Sequence, residues 1–241
     1  MYTRHEVEWK YKHRERDKNS ESVLHEEEIP MEQNKTQVVK LQAGARGIDV
    51  SENNGTVDWD AVVEAGVEFA IIRLGYGRGH LDEEFYDNVQ GAVSRGLPIG
   101  VYYYSYALDT YAATEEGEFL VETLKECGLT MDKLQLGVWF DMEDADGYKG
   151  ARGVTDGYQL SEMCRAFLDV CRENGYDKCG VYASLSWLVD YLVVDIFGEG
   201  TLIWCAQWDE ECDWEGAKIW QDCDDFEIEG RAFDGNILMI P

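Results

Sequence analysis

Residues 138–144 read VWFDMED, an apolar run that ends in three acids. If the run is a strand, side chains alternate faces, so Trp139, Asp141 and Glu143 share one side and Phe140, Met142 and Asp144 the other. Two carboxylates at i and i+2 then have Cα atoms about 6.6 Å apart and point the same way. At that separation each opposes the other's ionisation, so the first proton between them is held to higher pH. One acid can stay neutral and protonate a leaving oxygen while its partner is charged, a division of labour that glycosidic cleavage needs. Asp49 closes the apolar run RGIDV and Asp234 lies in FDGNIL, so four acids are candidates for one site. A metal reading stays beside this one: four such acids could hold Mg²⁺ or Ca²⁺, and the lack of a nearby His argues only against zinc. In a chain with 49 Asp and Glu among 241 residues, Asp-x-Glu arises readily by chance. Its place at the end of an apolar strand is what gives it weight.

Aromatics close the same predicted strands: Tyr76, Tyr104, Tyr106, Trp204, Trp208 and Trp220. Sugar rings lay their apolar faces on flat aromatic surfaces, so as a group these side chains are expected to line a carbohydrate cleft, with Gln207 among them. Each taken alone is more often a core or rim residue than a ligand contact.

Positioning these groups falls to short apolar runs alternating with helical stretches. Strands are expected at 46–50, 68–77, 98–107, 136–143, 178–183, 202–208, 218–223 and 233–238. Helices are expected in WDAVVEAG, EEFYDNVQGAVSRG, TYAATEEGEFLVETLKECG, YQLSEMCRAFLDVCRENG and SWLVDYLV. Gly66, Gly96, Gly128 and Gly175 supply left-handed helix stops. Five βα units followed by three plain strands predict an α/β fold, an irregular TIM-like barrel, with the acids at the C-terminal ends of its strands. An open doubly wound sheet is the alternative, but no G-x-G-x-x-G follows the first strand, so a dinucleotide cofactor lacks support and no cofactor is expected.

The formal charge is -28, and eight of the 21 bases but only nine of the 49 acids lie in residues 1–45. Residues 46–241 therefore carry 13 bases against 40 acids. Such a body repels phosphate backbones and anionic lipid, so nucleic acid and membrane surfaces are poor partners. Residues 1–45, charged in both signs and poor in apolar side chains, read as a linker or N-terminal extension ahead of a domain spanning 46–241. The seven cysteines form no C-x-x-C pair. Most are expected as buried thiols, with a Cys212–Cys223 bridge open. No run of about 18 apolar residues is present and no apolar segment follows the N-terminal bases, so neither a membrane span nor an export signal is expected in this chain.

RGIDVSENNGTVDW, FAIIRLGYG, GVYYYSYA, VWFDMED, GVYASLSW, WCAQW, WQD and FDGN follow one another in the order of the motifs of glycoside hydrolase family 25. The chain thus resembles the lysozyme-type muramidases of bacteria and phages over about residues 46–240. The resemblance implies a barrel of five βα units and three further strands that cleaves the β-1,4 bond between N-acetylmuramic acid and N-acetylglucosamine. It further implies Glu143 as general acid, Asp141 as its charged partner, and Asp49 and Asp234 as the rest of an acidic floor. Attack by the substrate's own 2-acetamido oxygen, with net retention, is preferred to a covalent aspartyl intermediate. Peptidoglycan glycan strands are the implied partner, a monomer the implied state, and the cell wall or extracellular space the implied location. SENNG, Tyr103 and FDMED depart from the usual motifs without removing a carboxylate. Two other readings stay open: a non-catalytic carbohydrate-binding barrel, and a chitinase-like hydrolase of N-acetylglucosamine polymers.

Overall fold

The structure is a computed structural model that describes residues 41–240; most of the expected N-terminal linker, residues 1–40, lies outside them. From there the chain alternates strand and helix. In order come β1 (Arg46–Val50), α1 (Trp59–Glu64), β2 (Phe69–Tyr76), a short β3 (His80–Leu81), α2 (Phe85–Ser94), β4 (Ile99–Tyr104) and α3 (Thr110–Glu126). They are followed by β5 (Val138–Asp141), α4 (Gly157–Glu173), β6 (Cys179–Ser184), α5 (Leu185–Asp190), β7 (Leu202–Ala206), β8 (Ile219–Ile228) and β9 (Arg231–Leu238). Side-chain caps start four of the five helices: Asp58, Asp109, Asp156 and Ser184 each accept a first-turn backbone N–H, worth about 1 kcal/mol apiece.

Strand pairing runs β1-β9-β8-β7-β6-β5-β4-β2-β3, and β1 also pairs with β2. Eight strands therefore close on themselves, with β3 appended to β2, and the open-sheet alternative is set aside. Strands β1, β2 and β4 to β8 run parallel to their neighbours, whereas β9 is antiparallel to both β8 and β1. All eight expected strands are present.

Two apolar layers follow from the period of two. Inward-facing Phe69, Ile71, Tyr102, Leu136, Trp139, Trp204, Ile219 and Leu238 fill the barrel. Outward-facing Ile48, Ile72, Val101, Phe140 and Val181 meet the helices through Leu120, Leu124, Phe167 and Leu168. Phe140 stacks on Phe167 with ring centroids 4.1 Å apart. Each such buried side chain stabilises the fold by about 1.5–3 kcal/mol. A Cβ at Gly47 would lie 2.2 Å from the Phe69 ring, so only glycine lets that ring seal the barrel beside β1.

The last third differs in detail from expectation. Strands β8 and β9 run beyond 218–223 and 233–238 and form one hairpin around Glu229 and Gly230, with φ of 50° and 77°. Two central residues with positive φ match the twist of the flanking strands. All seven cysteines are free thiols. The Cys212 thiol interacts with that of Cys205, and the Cys212–Cys223 bridge that the sequence left open is not formed.

Candidate active site

The alternation expected of VWFDMED holds as far as Met142, although β5 stops at Asp141. Met142 N–H still bonds the carbonyl of Tyr182 (2.9 Å), and its side chain is buried in the outer layer. Trp139 lies inside, and Asp141 follows it on the same face. Asp141 is directly opposite Tyr104 on one side and Tyr182 on the other. Asp144, the third acid of the run, accepts the backbone N–H groups of Lys149 (2.6 Å) and Gly150 (2.8 Å) and so shapes the following loop.

Asp49 and Asp234 meet in register across β1 and β9. Asp49 Oδ2 accepts from Asn236 Nδ2 (2.8 Å) and Gln221 Nε2 (3.0 Å). The chain of donors continues outward: Tyr182 OH donates to Gln221 Oε1 (2.8 Å), and Trp204 Nε1 donates to Asn236 Oδ1 (2.8 Å). Each amide is thereby oriented from both ends.

Burial dominates the electrostatics. It pushes Asp49 up to about 8, helped by the charge of Asp234 and only partly opposed by its two amide donors. Asp234 is raised by burial and by Asp224. Burial lifts Asp141 well above the usual carboxylate range, followed by the charge of Glu143, while Lys149 and Arg73 hold it down. Asp141 Oδ1 is buried without a protein partner. Glu143 is raised by burial, lowered by Lys149, and raised again by Asp234, Asp146 and Asp144. Burial, and after it the charges of Asp141, Glu143, Asp49 and Asp234, keep the Tyr182 phenol protonated well above its ordinary range. Burial and mutual repulsion thus raise all four carboxyls, so each holds its proton to higher pH than a free side chain does. Among the described residues no group of three or more His, Cys, Asp or Glu is arranged to hold a metal ion.

A tyrosine wall stands beside the acids. Tyr106 packs on Tyr76, Tyr104 and Tyr148 with centroids 6.3, 5.1 and 4.8 Å away, and its hydroxyl donates to Asp146 (2.8 Å). Tyr76 also stacks on His80 (5.3 Å). The tryptophans divide differently. Trp204 is 1% exposed in the barrel interior, so it has no free face for a sugar; it braces Asn236 instead. Trp220 lies between inward Ile219 and inward Gln221, hence on the opposite side of β8, and donates to the carbonyl of Gln207 (2.6 Å). Gln207 spends its amide on Asp213, accepting from its N–H and donating to its carboxylate (2.8 and 2.7 Å). Only Trp208, 63% exposed, keeps a free ring after β7.

Gly75 also has a structural task. A Cβ there would lie 2.2 Å from the carbonyl of His80, so the glycine admits the β3 backbone rather than a ligand.

Comparison with known proteins places the fold in a family. The sequence model described as "Glycosyl hydrolases family 25" matches residues 48–231. The chain belongs to glycosyl hydrolase family 25. An autolytic lysozyme of Clostridium acetobutylicum is 32% identical over 148 residues, 61% of this chain and 40% of that protein. The modular autolysin LytC of Streptococcus pneumoniae, solved in complex with a synthetic peptidoglycan ligand, superposes with a TM-score of 0.70 at 25% identity, over 80% of this chain and 46% of LytC. A family 25 glycosyl hydrolase from Bacillus anthracis shares the fold, with a TM-score of 0.67 at 17% identity over 90% and 94% of the two chains. The present chain spans less than half the length of the clostridial relative and of LytC.

Several residues of this family 25 site escape sequence reasoning. Tyr182, Gln221 and Asn236 lie in the quoted motifs GVYASLSW, WQD and FDGN, yet nothing in spacing alone singles out an interior polar side chain. Their signal is parity: each falls on the inward face of its strand. Tyr148 and Lys149 sit in a loop without periodicity and leave no such trace.

Proposed function

We propose that this family 25 chain is a muramidase that hydrolyses the β-1,4 bond between N-acetylmuramic acid and N-acetylglucosamine in peptidoglycan. The observation that supports it most is the pairing of a partly exposed Glu143 with a buried Asp141 beneath it, both held protonated beyond their ordinary range. Glu143, nearer solvent, gives its proton to the glycosidic oxygen as the C–O bond breaks. The substrate's 2-acetamido oxygen attacks the anomeric carbon as the leaving group departs. Asp141, its proton released to solvent before the glycan docks, accepts a hydrogen bond from the acetamido N–H and orients it, and water then opens the resulting ring with retention. Deprotonated Glu143 accepts that water's proton. Asp234 adds negative potential opposite the developing positive charge, with the protonated Asp49 beside it, and the Tyr76–Tyr106–Tyr148 wall holds sugar faces. One copy carries every group named, so a monomer suffices, and a peptidoglycan substrate sets the place of action at the cell wall or outside the cell.

The experiment is digestion of purified peptidoglycan with mass spectrometry of the products. Muramic acid at new reducing ends is expected; glucosamine there points to another bond, and no release of fragments to a binding barrel. Glu143→Gln should lower kcat by about 10²- to 10⁴-fold with binding kept. Cleavage of plain chitin oligomers in preference to muropeptides would favour the chitinase-like reading.

A further inference from the structure

Lys149 is 1% exposed, a burial that lysine rarely tolerates unless its charge is answered. It follows the tight turn that Asp144 caps, which directs the side chain under the loop leaving β5. There Nζ donates to two main-chain carbonyls, those of Ser105 just past β4 and of Glu143 (2.9 Å for the latter). Ser105 N–H in turn bonds the carbonyl of Asp141 (3.1 Å), so the ammonium joins the ends of two strands at the level of the acid pair. Facing it are Glu116 from α3, Asp141 from β5, Asp144 from its own loop, Cys164 from α4, and the Tyr104 ring, whose centroid is 6.0 Å from Nζ. Glu116 is itself tied to this region, its Oε1 accepting from Tyr106 N–H (2.9 Å).

Holding two backbone carbonyls does not require a charge, and an apolar side chain would avoid the desolvation cost of a buried ammonium. The cation has a further consequence here, because carboxyls crowd the opposite side. Beyond Asp141, where the β5 ladder ends, the Glu143 carbonyl is held by a side chain instead of a neighbouring strand. We propose that Lys149 is the positioning residue of the acid pair: its ammonium anchors the Glu143 main chain to the end of β4 and sets a positive charge beside the two carboxyls. The inference rests on the reading of Glu143 as proton donor.

It carries a sign. The groups that act on Glu143 are Lys149, which lowers it, and Asp234, Asp146 and Asp144, which raise it; Asp141 is lowered by Lys149 and Arg73 and raised by Glu143 and Asp49. Removing the Lys149 charge therefore raises both carboxyls together. The test is the pH profile of peptidoglycan hydrolysis for wild type, Lys149→Met, Lys149→Gln and Lys149→Arg, each checked for fold by circular dichroism. Met and Gln should move both limbs to higher pH and lower kcat by roughly 10- to 100-fold, the cost of a slightly displaced acid; Arg should keep the limbs in place and restore part of kcat. Folded Met and Gln variants with unmoved limbs would overturn the proposal, whatever their kcat. Loss of the fold in both overturns it too, since a positioning residue leaves the barrel standing. An inactive wild type instead defeats the muramidase reading itself.

Discussion

Asp49 and Asp234 face each other as register partners across the antiparallel β1–β9 pair, and burial pushes Asp49 up to about 8. A carboxyl that keeps its proton at neutral pH in the folded chain but loses it near 4 when unfolded makes stability depend on pH. The unfolded state binds fewer protons across that window, so stability falls as pH rises from about 4 towards 8. Asp49→Asn removes this dependence. Thermal melts at pH 5 and pH 8 should show a smaller loss of Tm in the variant than in wild type, with higher stability at pH 8 and impaired hydrolysis. An equal pH dependence in both proteins would place the retained proton elsewhere.

Asp141→Asn should lower the rate and shift the profile in the direction opposite to loss of Lys149. The charge of Glu143 raises Asp141, and such coupling is mutual. With the aspartate neutralised, Glu143 gives up its proton more readily, so the high-pH limb moves down. Initial rates across a pH series measure this; a folded variant whose limb stays put argues against the pair.

Trp204→Phe tests the assignment of that ring to the barrel interior. The variant keeps an aromatic side chain but strips Asn236 Oδ1 of its donor. Leaving a buried acceptor bare costs about 1–3 kcal/mol, read as a lower urea midpoint. KM for glycan fragments should stay near wild type, whereas a sugar-stacking tryptophan would raise it.

Tyr148→Ala should do the reverse. Its ring packs edge-on against Tyr106 and lies under Arg152, 3.6 Å from the ring centroid. A wall that binds ground and transition states equally contributes to KM alone. KM should rise by roughly 2- to 10-fold, the worth of one aromatic contact, while kcat holds. Steady-state kinetics on soluble muropeptides separate the two parameters.

The barrel and the four acids were legible because each depends on local rules. Period-two apolar runs mark strands wherever both faces are buried, and Asp49, Asp141, Glu143 and Asp234 stand at or near ends of such runs. Trp204 and Trp220 were misread for one reason. Closeness to a strand end says nothing of which face a side chain takes, and that face is set by counting from a residue known to point inward. Gln207 shows a second limit, since a loop bond to Asp213, six residues on, has no period to betray it. The β8–β9 hairpin was cut short because its polar tip reads as loop, whereas its backbone groups are satisfied by pairing. Lys149 was hidden most completely: an exposed lysine and a buried one look alike in sequence.

Trp139 and Trp204, with ring centroids 5.8 Å apart, plug the barrel axis under the acids. A glycan lying across the opening above them shields the basin from bulk solvent, so the free and occupied basins hold their protons differently. Consequently kcat/KM should report the titration of the open vessel, and kcat that of the closed one.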